Sequence, residues 1–304
     1  MTEPWLAVMN PVAGHGRAAR AWPALAAALE SLGVAVDLVT TRAPGEATRL
    51  VAEGVANGRR RVLAVGGDGT LHEVLNGMVG APGRMTLAVA PFGTGNDWAR
   101  GHGIPRDAGA IAAMLSAGRT IGHDVGEIDY RVESRRERRY FINLAGVGYD
   151  AYVLENMPTR GPRSLAYLAG VVGGLLKYRP ALTTVDAGGV RRTGRYFAAF
   201  AAIGRYAGGG MQFAPCAKHD DGLVDLVTID HLGIFATIAR LPKIYSGRLL
   251  GDPAVYWCAT ESIVIATDPP VRVEADGQLL GTTPVRIRTL RRAIDVVVPD
   301  IARP

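Results

Sequence analysis

An apolar strand, a glycine corner and a helix follow one another in Val62-Leu63-Ala64-Val65-Gly66-Gly67-Asp68-Gly69-Thr70 and the eight residues after it. The four apolar residues predict a strand that is covered on both faces. Strand and helix patterns alternate throughout the first 125 residues, with further strands at 5–9, 34–39 and 86–90 and helices at 18–32, 46–56 and 108–117. This alternation predicts an α/β domain in three layers with a parallel sheet.

The second half of the chain is dominated by strand patterns. They occur at 140–144, 196–203, 223–229, 262–266, 271–275, 285–287 and 294–298, with helical stretches at 164–178 and 234–245. Strands that follow one another with turns between them predict an antiparallel β-sandwich. We therefore expect a first domain at 1–125 and a second at 126–304, with room for the last residues to return to the first domain.

The composition fits this two-domain organisation and excludes other classes of protein. The chain has 304 residues, of which 48% are hydrophobic and 20% charged, so a disordered chain is excluded. Cys216 and Cys258 are its only cysteines, too few for a disulfide framework and typical of a reducing compartment. A net charge of +6 suits lipid headgroups or polyphosphates as partners, although a solvated basic surface explains it equally well.

Neither a signal peptide nor a membrane-spanning segment is expected. The first apolar stretch has no basic region before it and ends at Asn10-Pro11. The longest apolar run, from Leu165 to Leu176, is much shorter than the roughly 20 residues that cross a bilayer. We expect a cytoplasmic protein without a nucleic-acid partner, and the sequence leaves room for peripheral contact with the inner face of the membrane and for a homodimer.

Three glycine-rich loops follow the first, third and fourth predicted strands, at residues 10–16, 66–70 and 92–97. In an open α/β sheet the ligand binds beyond the carboxyl ends of such strands. Glycines there allow backbone N–H groups to approach phosphate oxygens at the positive end of a helix. One such loop is usually only a sharp turn, but three together indicate a polyphosphate site. P-loop and protein-kinase motifs are absent.

Residues 66–77 and the run from Pro91 to Asp97 resemble the catalytic domain of the soluble diacylglycerol kinase family, which includes bacterial lipid kinases and is related to sphingosine kinases and NAD kinases. The segment from Asn10 to Gly14 is similar to its first phosphate loop. Segments 146–151, 218–223 and 274–277 resemble its C-terminal signatures in the same order. The resemblance implies a NAD-kinase-like first domain.

The reaction that the resemblance implies is transfer of the γ-phosphate of ATP, with Mg²⁺, to the hydroxyl of a diacylglycerol-like lipid, which gives phosphatidic acid. Asp68 would act near the phosphates through Mg²⁺, although an Asp between two glycines can also simply form a turn. Thr41 is matched only by its place after the second strand. The residues expected to line the nucleotide are Asn10, Pro11, Val12, Ala13, Gly14, Thr41, Gly67, Asp68, Gly69, Thr70, Leu71, His72, Glu73 and Thr94.

Asp276 is the residue that we expect to act as the general base. Strand alternation places Arg272, Glu274 and Asp276 on one face, where the charged groups can tune a carboxyl pKa. The pair Asp276-Gly277 also predicts a hairpin turn, which needs no catalysis, and the two interpretations are compatible. Gln278 stands where many bacterial members of the family have Glu, so no second carboxylate is expected there.

Three further segments have a functional and a structural interpretation. Lys218, Asp221 and Leu223 match the structural magnesium site of the family, but could form a solvated acidic loop. The apolar run from Leu165 to Leu176 could line an acyl groove or form a core helix. The arginines within 135–139 could bind headgroups, but we favour a charged hairpin tip.

Several other functions remain as alternatives to a diacylglycerol kinase. The same scaffold could phosphorylate a sphingoid base or another lipid alcohol. A NAD kinase shares the element at 66–70 but not that at 92–97. A catalytically inactive nucleotide-binding protein would not need both Asp68 and Asp276.

Overall fold

The computed structural model describes residues 3–156 and 173–300. By their contacts, the residues divide into two compact units. The first unit comprises residues 1–125, 208–210 and 290–304, and the second comprises residues 126–207 and 211–289. The predicted apolar run from Leu165 to Leu176 lies outside the described residues as far as Val172. In the described part of the chain, no helix is long and apolar enough to cross a membrane.

The first unit alternates strands and helices. Its strands lie in the order β2-β1-β3-β4 with parallel pairing, and the end of β16 adds in parallel beside β4. Strands β1, β3 and β4 are almost entirely apolar and buried, whereas β2 at the edge is partly exposed. The elements are β1 (Trp5–Met9), α1 (Ala13–Ser31), β2 (Val36–Thr40), α2 (Glu46–Ala56), β3 (Arg61–Gly66), α3 (Asp68–Met78), β4 (Thr86–Pro91), α4 (Asp97–Gly101) and α5 (Ala108–Ala117), with the end of β16 (Gln278–Val297).

The second unit consists mainly of antiparallel strands. Its described helices include α6 (Tyr149–Asn156) and two short helices, Ile234–Ile238 and Leu241–Tyr245, and residues 173–177 are also helical. Strand β5 begins in the first unit and ends in this one. The strands are β5 (Thr120–Val132), β6 (Arg135–Phe141), β7 (Leu144–Gly148), β8 (Leu182–Ala187), β9 (Val190–Ala202), β10 (Tyr206–Ala207), β11 (Met211–Gln212), β12 (Val224–Asp230), β13 (Val255–Thr260), β14 (Ser262–Asp268), β15 (Arg272–Ala275) and the first part of β16.

Six of these strands pair in a closed ring, in the order β7-β15-β16-β14-β8-β9 and back to β7. The ring closes because the long strands change partners along their length. Residues 190–195 of β9 pair with β8, and residues 198–202 pair with β7. Side chains such as Ile263, Val273 and Ile287 fill the core of this unit. The predicted α/β class and β-rich second half are confirmed, but the sheet of the whole chain is mixed and closes in a barrel-like manner.

Two local predictions differ from the structure. The arginines of 135–139 lie in strand β6 rather than at a hairpin tip, which is formed by residues 133–134. The strand forms there because β6 pairs with β5 in register, and Arg138 donates a hydrogen bond to Asp129 across the pair, at 2.7 Å. The helix predicted at 234–245 is divided into two short helices, because Pro242 lacks the N–H group that a continuous helix would use.

Candidate functional site

The first glycine loop leaves β1 through a left-handed turn. Gly14, His15 and Gly16 have φ angles of 58°, 59° and 79°, so α1 is regular only after them. Before the turn, the Val12 N–H group donates to Asn10 Oδ1 at 3.2 Å. A backbone turn of this kind can present its N–H groups to an anion.

The second loop joins β3 directly to helix α3. Gly67 is the residue before the helix, and no side chain caps its N-terminus. A methyl group at Gly66 would lie 2.3 Å from Thr70 Oγ1, so the Thr70 side chain occupies the space that a larger residue would need. The first N–H groups of α3 therefore remain suited to an anionic ligand.

The third loop follows β4 and is fixed by Asn96. This residue is left-handed (φ 54°) and buried. Its side chain accepts a hydrogen bond from the Gly93 N–H group at 3.0 Å and donates to the carbonyl oxygens of Pro91 and Gly93 at 3.1 and 2.9 Å. Thr94 is exposed at the outer side of the loop.

The three loops contact one another within the first unit. A methyl group at Gly93 would lie 2.3 Å from the Gly67 α-carbon, and one at Gly14 would lie 2.1 Å from the Phe92 carbonyl oxygen. Arg17 Nη1 donates to the Gly93 carbonyl oxygen at 3.1 Å. Glycine is thus required where the loops meet, because any side chain would separate them.

Two carboxylates lie beside the third loop. A methyl group at Gly95 would lie 2.9 Å from Asp68 Oδ2 and 3.5 Å from Asp97 Oδ2. Asp97 is buried, and its Oδ2 accepts the Gly209 N–H group at 2.8 Å. Its Oδ1 is also buried and has no hydrogen-bond partner among the described residues.

This arrangement fits a divalent cation. Mg²⁺ is usually held by one or two carboxylates, with phosphate oxygens and water as its other ligands. The described residues contain no group of three or more His, Cys, Asp or Glu side chains able to hold a metal. Asp97 was not among the ligands predicted from the sequence, although it ends the motif Gly93-Thr94-Gly95-Asn96-Asp97.

Arginines at the start of α1 were also missed. Arg17 and Arg20 are exposed, and a methyl group at Gly16 would lie 3.0 Å from Arg20 Nη1. Two guanidinium groups beside a glycine loop provide positive charge for a polyphosphate. The sequence does indicate these two residues, because both arginines lie within four residues after Gly16.

The side chains of Thr70, Leu71 and His72 are buried within α3, and the Leu71 N–H group donates to the Gly67 carbonyl oxygen at 3.0 Å. The His72 backbone carbonyl accepts a hydrogen bond from the Asn76 side chain at 2.8 Å. Thr41 is buried beside the end of β1, where its N–H group donates to the Met9 carbonyl at 2.9 Å.

Glu73 has partners at another helix. Its carboxylate accepts the N–H groups of Gly45 and Ala47, at 2.8 and 3.1 Å, and so caps the N-terminus of α2. Glycine at position 45 precedes the helix and supplies no capping side chain of its own. The Glu73 side chain therefore has a structural role as the cap of α2, which the sequence pattern did not indicate.

In the second unit, Asp276 lies in the turn after β15. Asp276 and Gly277 have φ angles of 48° and 78°, as expected for the predicted hairpin turn. The Asp276 carboxylate accepts the N–H groups of Ile142, Asn143 and Leu144 at 3.0 to 3.1 Å. These bonds fix the orientation of the carboxylate.

Glu274 and Asp150 form a buried carboxyl pair near this turn. Burial raises the pKa of Glu274 well above its usual value, and the charge of Asp150 raises it further. Burial likewise raises the pKa of Asp150. Glu274 also accepts the Gly277 N–H group at 2.8 Å.

A cavity of about 320 Å³ opens in the second unit. Its walls combine aromatic and small apolar side chains with a few charged groups. Arg272 Nε lies 3.6 Å from Glu155 Oε1 at this cavity. The lining includes Tyr152, Tyr178, Tyr196, Val147, Ala181, Ala199, Val271, Glu155, Arg179 and Arg272.

The predicted magnesium loop has a compact set of polar groups. Asp221 Oδ1 accepts the Leu223 N–H group at 3.0 Å. Asp225 is buried and accepts the Trp257 indole N–H group at 2.5 Å. Burial raises the pKa of Asp225, the charge of Asp221 adds to this, and Lys218 opposes it. A cation held by Lys218, Asp221 and Leu223 remains a prediction.

Comparisons with known proteins agree with this architecture. Residues 4–128 match the diacylglycerol kinase catalytic domain, and residues 143–298 match the YegS C-terminal NAD kinase beta sandwich-like domain. The chain is 26% identical over 298 residues to a diacylglycerol kinase of Bacillus subtilis (strain 168), covering 96% of this chain and 95% of that protein. It is 28% identical over 299 residues to a diacylglycerol kinase of Staphylococcus aureus (strain MRSA252), with coverages of 96% and 91%.

Solved structures show the same fold at lower identity. The crystal structure of a diacylglycerol kinase from Bacillus anthracis str. Sterne matches with a TM-score of 0.71 at 24% identity, covering 98% of this chain and 97% of that one. Another structure from the same organism gives 0.82 at 23% identity, with coverages of 98% and 96%. Yeast NADH kinase complexed with NADH gives 0.53 at 11% identity, with coverages of 98% and 84%.

The two family models account for nearly the whole length of the chain, one for each half. Their boundaries follow the change from alternating strands and helices to consecutive strands. The chain therefore belongs to the soluble diacylglycerol kinase family and is a lipid kinase, a phosphotransferase.

Proposed function

We propose that this lipid kinase transfers the γ-phosphate of ATP to the hydroxyl group of a diacylglycerol-like lipid and so forms phosphatidic acid. The observation that carries the proposal is the contact of three glycine loops beside Asp68 and Asp97 in the first unit. The names of the relatives in Bacillus subtilis and Staphylococcus aureus support diacylglycerol as the acceptor.

The glycine loops are suited to the triphosphate. N–H groups of the left-handed turn at 14–16 and the uncapped start of α3 would bind phosphate oxygens. Arg17 and Arg20 would add charge-assisted hydrogen bonds. In phosphoryl transfer most of the catalytic effect comes from positioning and from stabilising charge, which such groups provide.

Asp68 and Asp97 would hold Mg²⁺ against the phosphates. The buried Oδ1 of Asp97, which has no partner among the described residues, and the nearby Asp68 carboxylate support this role. Bound there, Mg²⁺ would neutralise charge that develops on the transferred phosphoryl group. The Gly209 N–H group keeps the Asp97 carboxylate oriented.

Asp276 would accept the proton of the lipid hydroxyl. Three backbone N–H groups hold its carboxylate in one orientation, as a positioned general base requires. Glu274 supports the same turn by accepting the Gly277 N–H group. In this proposal, Asp276 is the catalytic residue and Glu274 positions it.

The cavity of the second unit would receive the apolar part of the acceptor. Tyr152, Tyr178 and Tyr196 give it aromatic walls. Arg179, Arg272 and Glu155 also line it, and the excess of positive charge would repel the amine of a sphingoid base but not a neutral glycerolipid. This charge pattern favours a diacylglycerol-like acceptor over a sphingoid base.

The test is a panel of acceptors with γ-labelled ATP. We expect labelled phosphatidic acid from diacylglycerol, and much lower rates with sphingosine, ceramide and NAD. Labelled product from sphingosine at the highest kcat/KM would overturn the acceptor assignment. NADP as the main product would replace the lipid acceptor altogether.

A further inference from the structure

A segment of the second unit, residues 234–248, exposes large apolar side chains. Phe235 and Tyr245 are 85% and 57% exposed, and Ile238 and Leu241 are 46% and 40% exposed. Ala239 and Pro242 are also exposed between them. Isolated apolar side chains are common on surfaces, but four large ones within eleven residues are typical of an interaction surface.

The underside of this segment is firmly attached to its unit. Ile244 and Leu249 are buried in the apolar core. The buried Asp252 carboxylate accepts hydrogen bonds from Arg240 Nε at 3.0 Å and Lys243 Nζ at 2.7 Å. The apolar side chains are therefore presented by a fixed element.

The exposed charges within the segment are basic, and the buried Asp252 pairs with two of them, Arg240 and Lys243. Residues 231–251 contain no Asp or Glu, while Arg240, Lys243 and Arg248 lie among the exposed apolar side chains. Arg248 is exposed, and Lys243 remains partly exposed beside Asp252. An apolar surface with basic groups and no acidic ones complements an anionic lipid surface, which accepts both the apolar side chains and the positive charges.

We propose that residues 234–248 are a docking surface for a bilayer that contains anionic phospholipid. Phe235, Ile238, Leu241 and Tyr245 enter the headgroup region, and the basic side chains contact lipid phosphates. The inference rests on the proposed function only in that a diacylglycerol-like acceptor resides in a bilayer. Lipid binding is measured without turnover, so its failure is distinguishable from failure of the proposed reaction.

The first experiment is sedimentation of the full-length protein with vesicles. One set contains phosphatidylcholine alone, and the other contains an equal mixture of phosphatidylcholine and phosphatidylglycerol. We expect binding to the mixed vesicles, weakened by high salt because the charges are screened. The double variant Phe235→Ser/Ile238→Ser should bind more weakly by on the order of tenfold or more, because it loses two inserting apolar side chains.

The matched control is Val190→Ser, which replaces an apolar side chain of similar exposure (48%) elsewhere in the second unit. It should bind vesicles like the wild type. All three proteins should phosphorylate a short-chain, water-soluble diacylglycerol at the same rate. With a long-chain diacylglycerol in mixed vesicles, only the double variant should be slower.

Vesicle binding by the double variant at the wild-type level would overturn the docking surface. If the double variant then also changes from dimer to monomer in light scattering, these side chains belong to a contact between two copies of the chain. Unfolding of the double variant is checked by its melting temperature, and the single variant Phe235→Ser repeats the test with the most exposed side chain alone.

Discussion

Gly95 and Asp68 are in such close contact that a methyl group on the Gly95 α-carbon would lie 2.9 Å from Asp68 Oδ2. The same methyl group would lie 3.5 Å from Asp97 Oδ2. Position 95 therefore controls the placement of both carboxylates that we assign to Mg²⁺. Glycine has no side chain, so the sequence gives no indication that Gly95 lies against these carboxylates, and the structure was needed to show it.

Replacement of Gly95 should impair catalysis without unfolding the protein. Gly95→Ala displaces Asp68, and we expect kcat/KM to fall by on the order of a hundredfold, as for a small misplacement of a catalytic group. Gly109→Ala is the control, because its methyl group meets only Asp107 Oδ1, at 3.3 Å, in helix α5. Wild-type kcat/KM in Gly95→Ala would contradict the assignment.

Asp97→Asn should weaken the response to magnesium. The Asn oxygen can still accept the Gly209 N–H group, but the variant loses a negative charge beside the buried Oδ1 position. We expect the Mg²⁺ concentration for half-maximal activity to rise on the order of tenfold, which corresponds to about 1.4 kcal/mol. Asp107→Asn, at the cap of α5, is the control. Identical magnesium titrations of Asp97→Asn and wild type would exclude Asp97 as a ligand.

Arg272→Gln should relax discrimination against cationic acceptors. Removal of its charge from the cavity lowers the repulsion of an ammonium group, and relief of about 1.4 kcal/mol changes a ratio of kcat/KM values tenfold. The ratio of kcat/KM for sphingosine to that for diacylglycerol is the measurement. Arg191→Gln removes an exposed arginine of the same unit and should leave the ratio unchanged. An unchanged ratio in Arg272→Gln would remove the electrostatic argument for a neutral acceptor.

The buried pair Glu274 and Asp150 should make stability depend on pH. Burial, and then the charge of Asp150, raises the pKa of Glu274 in the folded state. The protonated Glu274 side chain therefore contributes fully to the free energy of unfolding below about pH 4.5, and this contribution is lost as the pH rises through the raised pKa. Glu274→Gln has no proton to lose. We expect the free energy of unfolding of this variant to increase relative to that of the wild type as the pH rises. The increase is about 1.4 kcal/mol for each unit by which the pKa of Glu274 is raised in the wild type.

Urea unfolding at pH 5 and pH 8 measures this effect. The Gln side chain can still accept the Gly277 N–H group, so the turn should remain intact. Glu30→Gln, on the exposed face of α1, serves as the comparison. Parallel pH profiles for wild type and Glu274→Gln would show that the pair carries no such linkage.

Much of the first unit could be predicted from local sequence. Apolar strands and glycine corners are local patterns, and helix α2 was predicted with the bounds that the structure shows, Glu46–Ala56. The contact of the three loops followed from the rule that parallel strands end at one edge. The Asp276-Gly277 turn was also readable, because both residues tolerate the left-handed conformation.

Features that depend on distant partners could not be predicted. The ring of strands closes because β9 and β16 change partners, which no local pattern indicates. Glu73 finds the N-terminus of α2 instead of a ligand, and the oxygen atoms of Asp97 are oriented by Gly209, more than a hundred residues away. A run of arginines does not by itself predict a strand, and β6 is recognisable only from its pairing with β5.

The role of Asp276 as the general base is tested by a single-turnover measurement of phosphate transfer from γ-labelled ATP to a short-chain diacylglycerol. We expect Asp276→Asn to slow transfer by on the order of a hundredfold to ten-thousandfold and to leave the Kd for ATP unchanged. Asp230→Asn, at an exposed strand end, should transfer at the wild-type rate. Transfer at the wild-type rate by Asp276→Asn would contradict the role of Asp276 as the base and make Asp68 the next candidate.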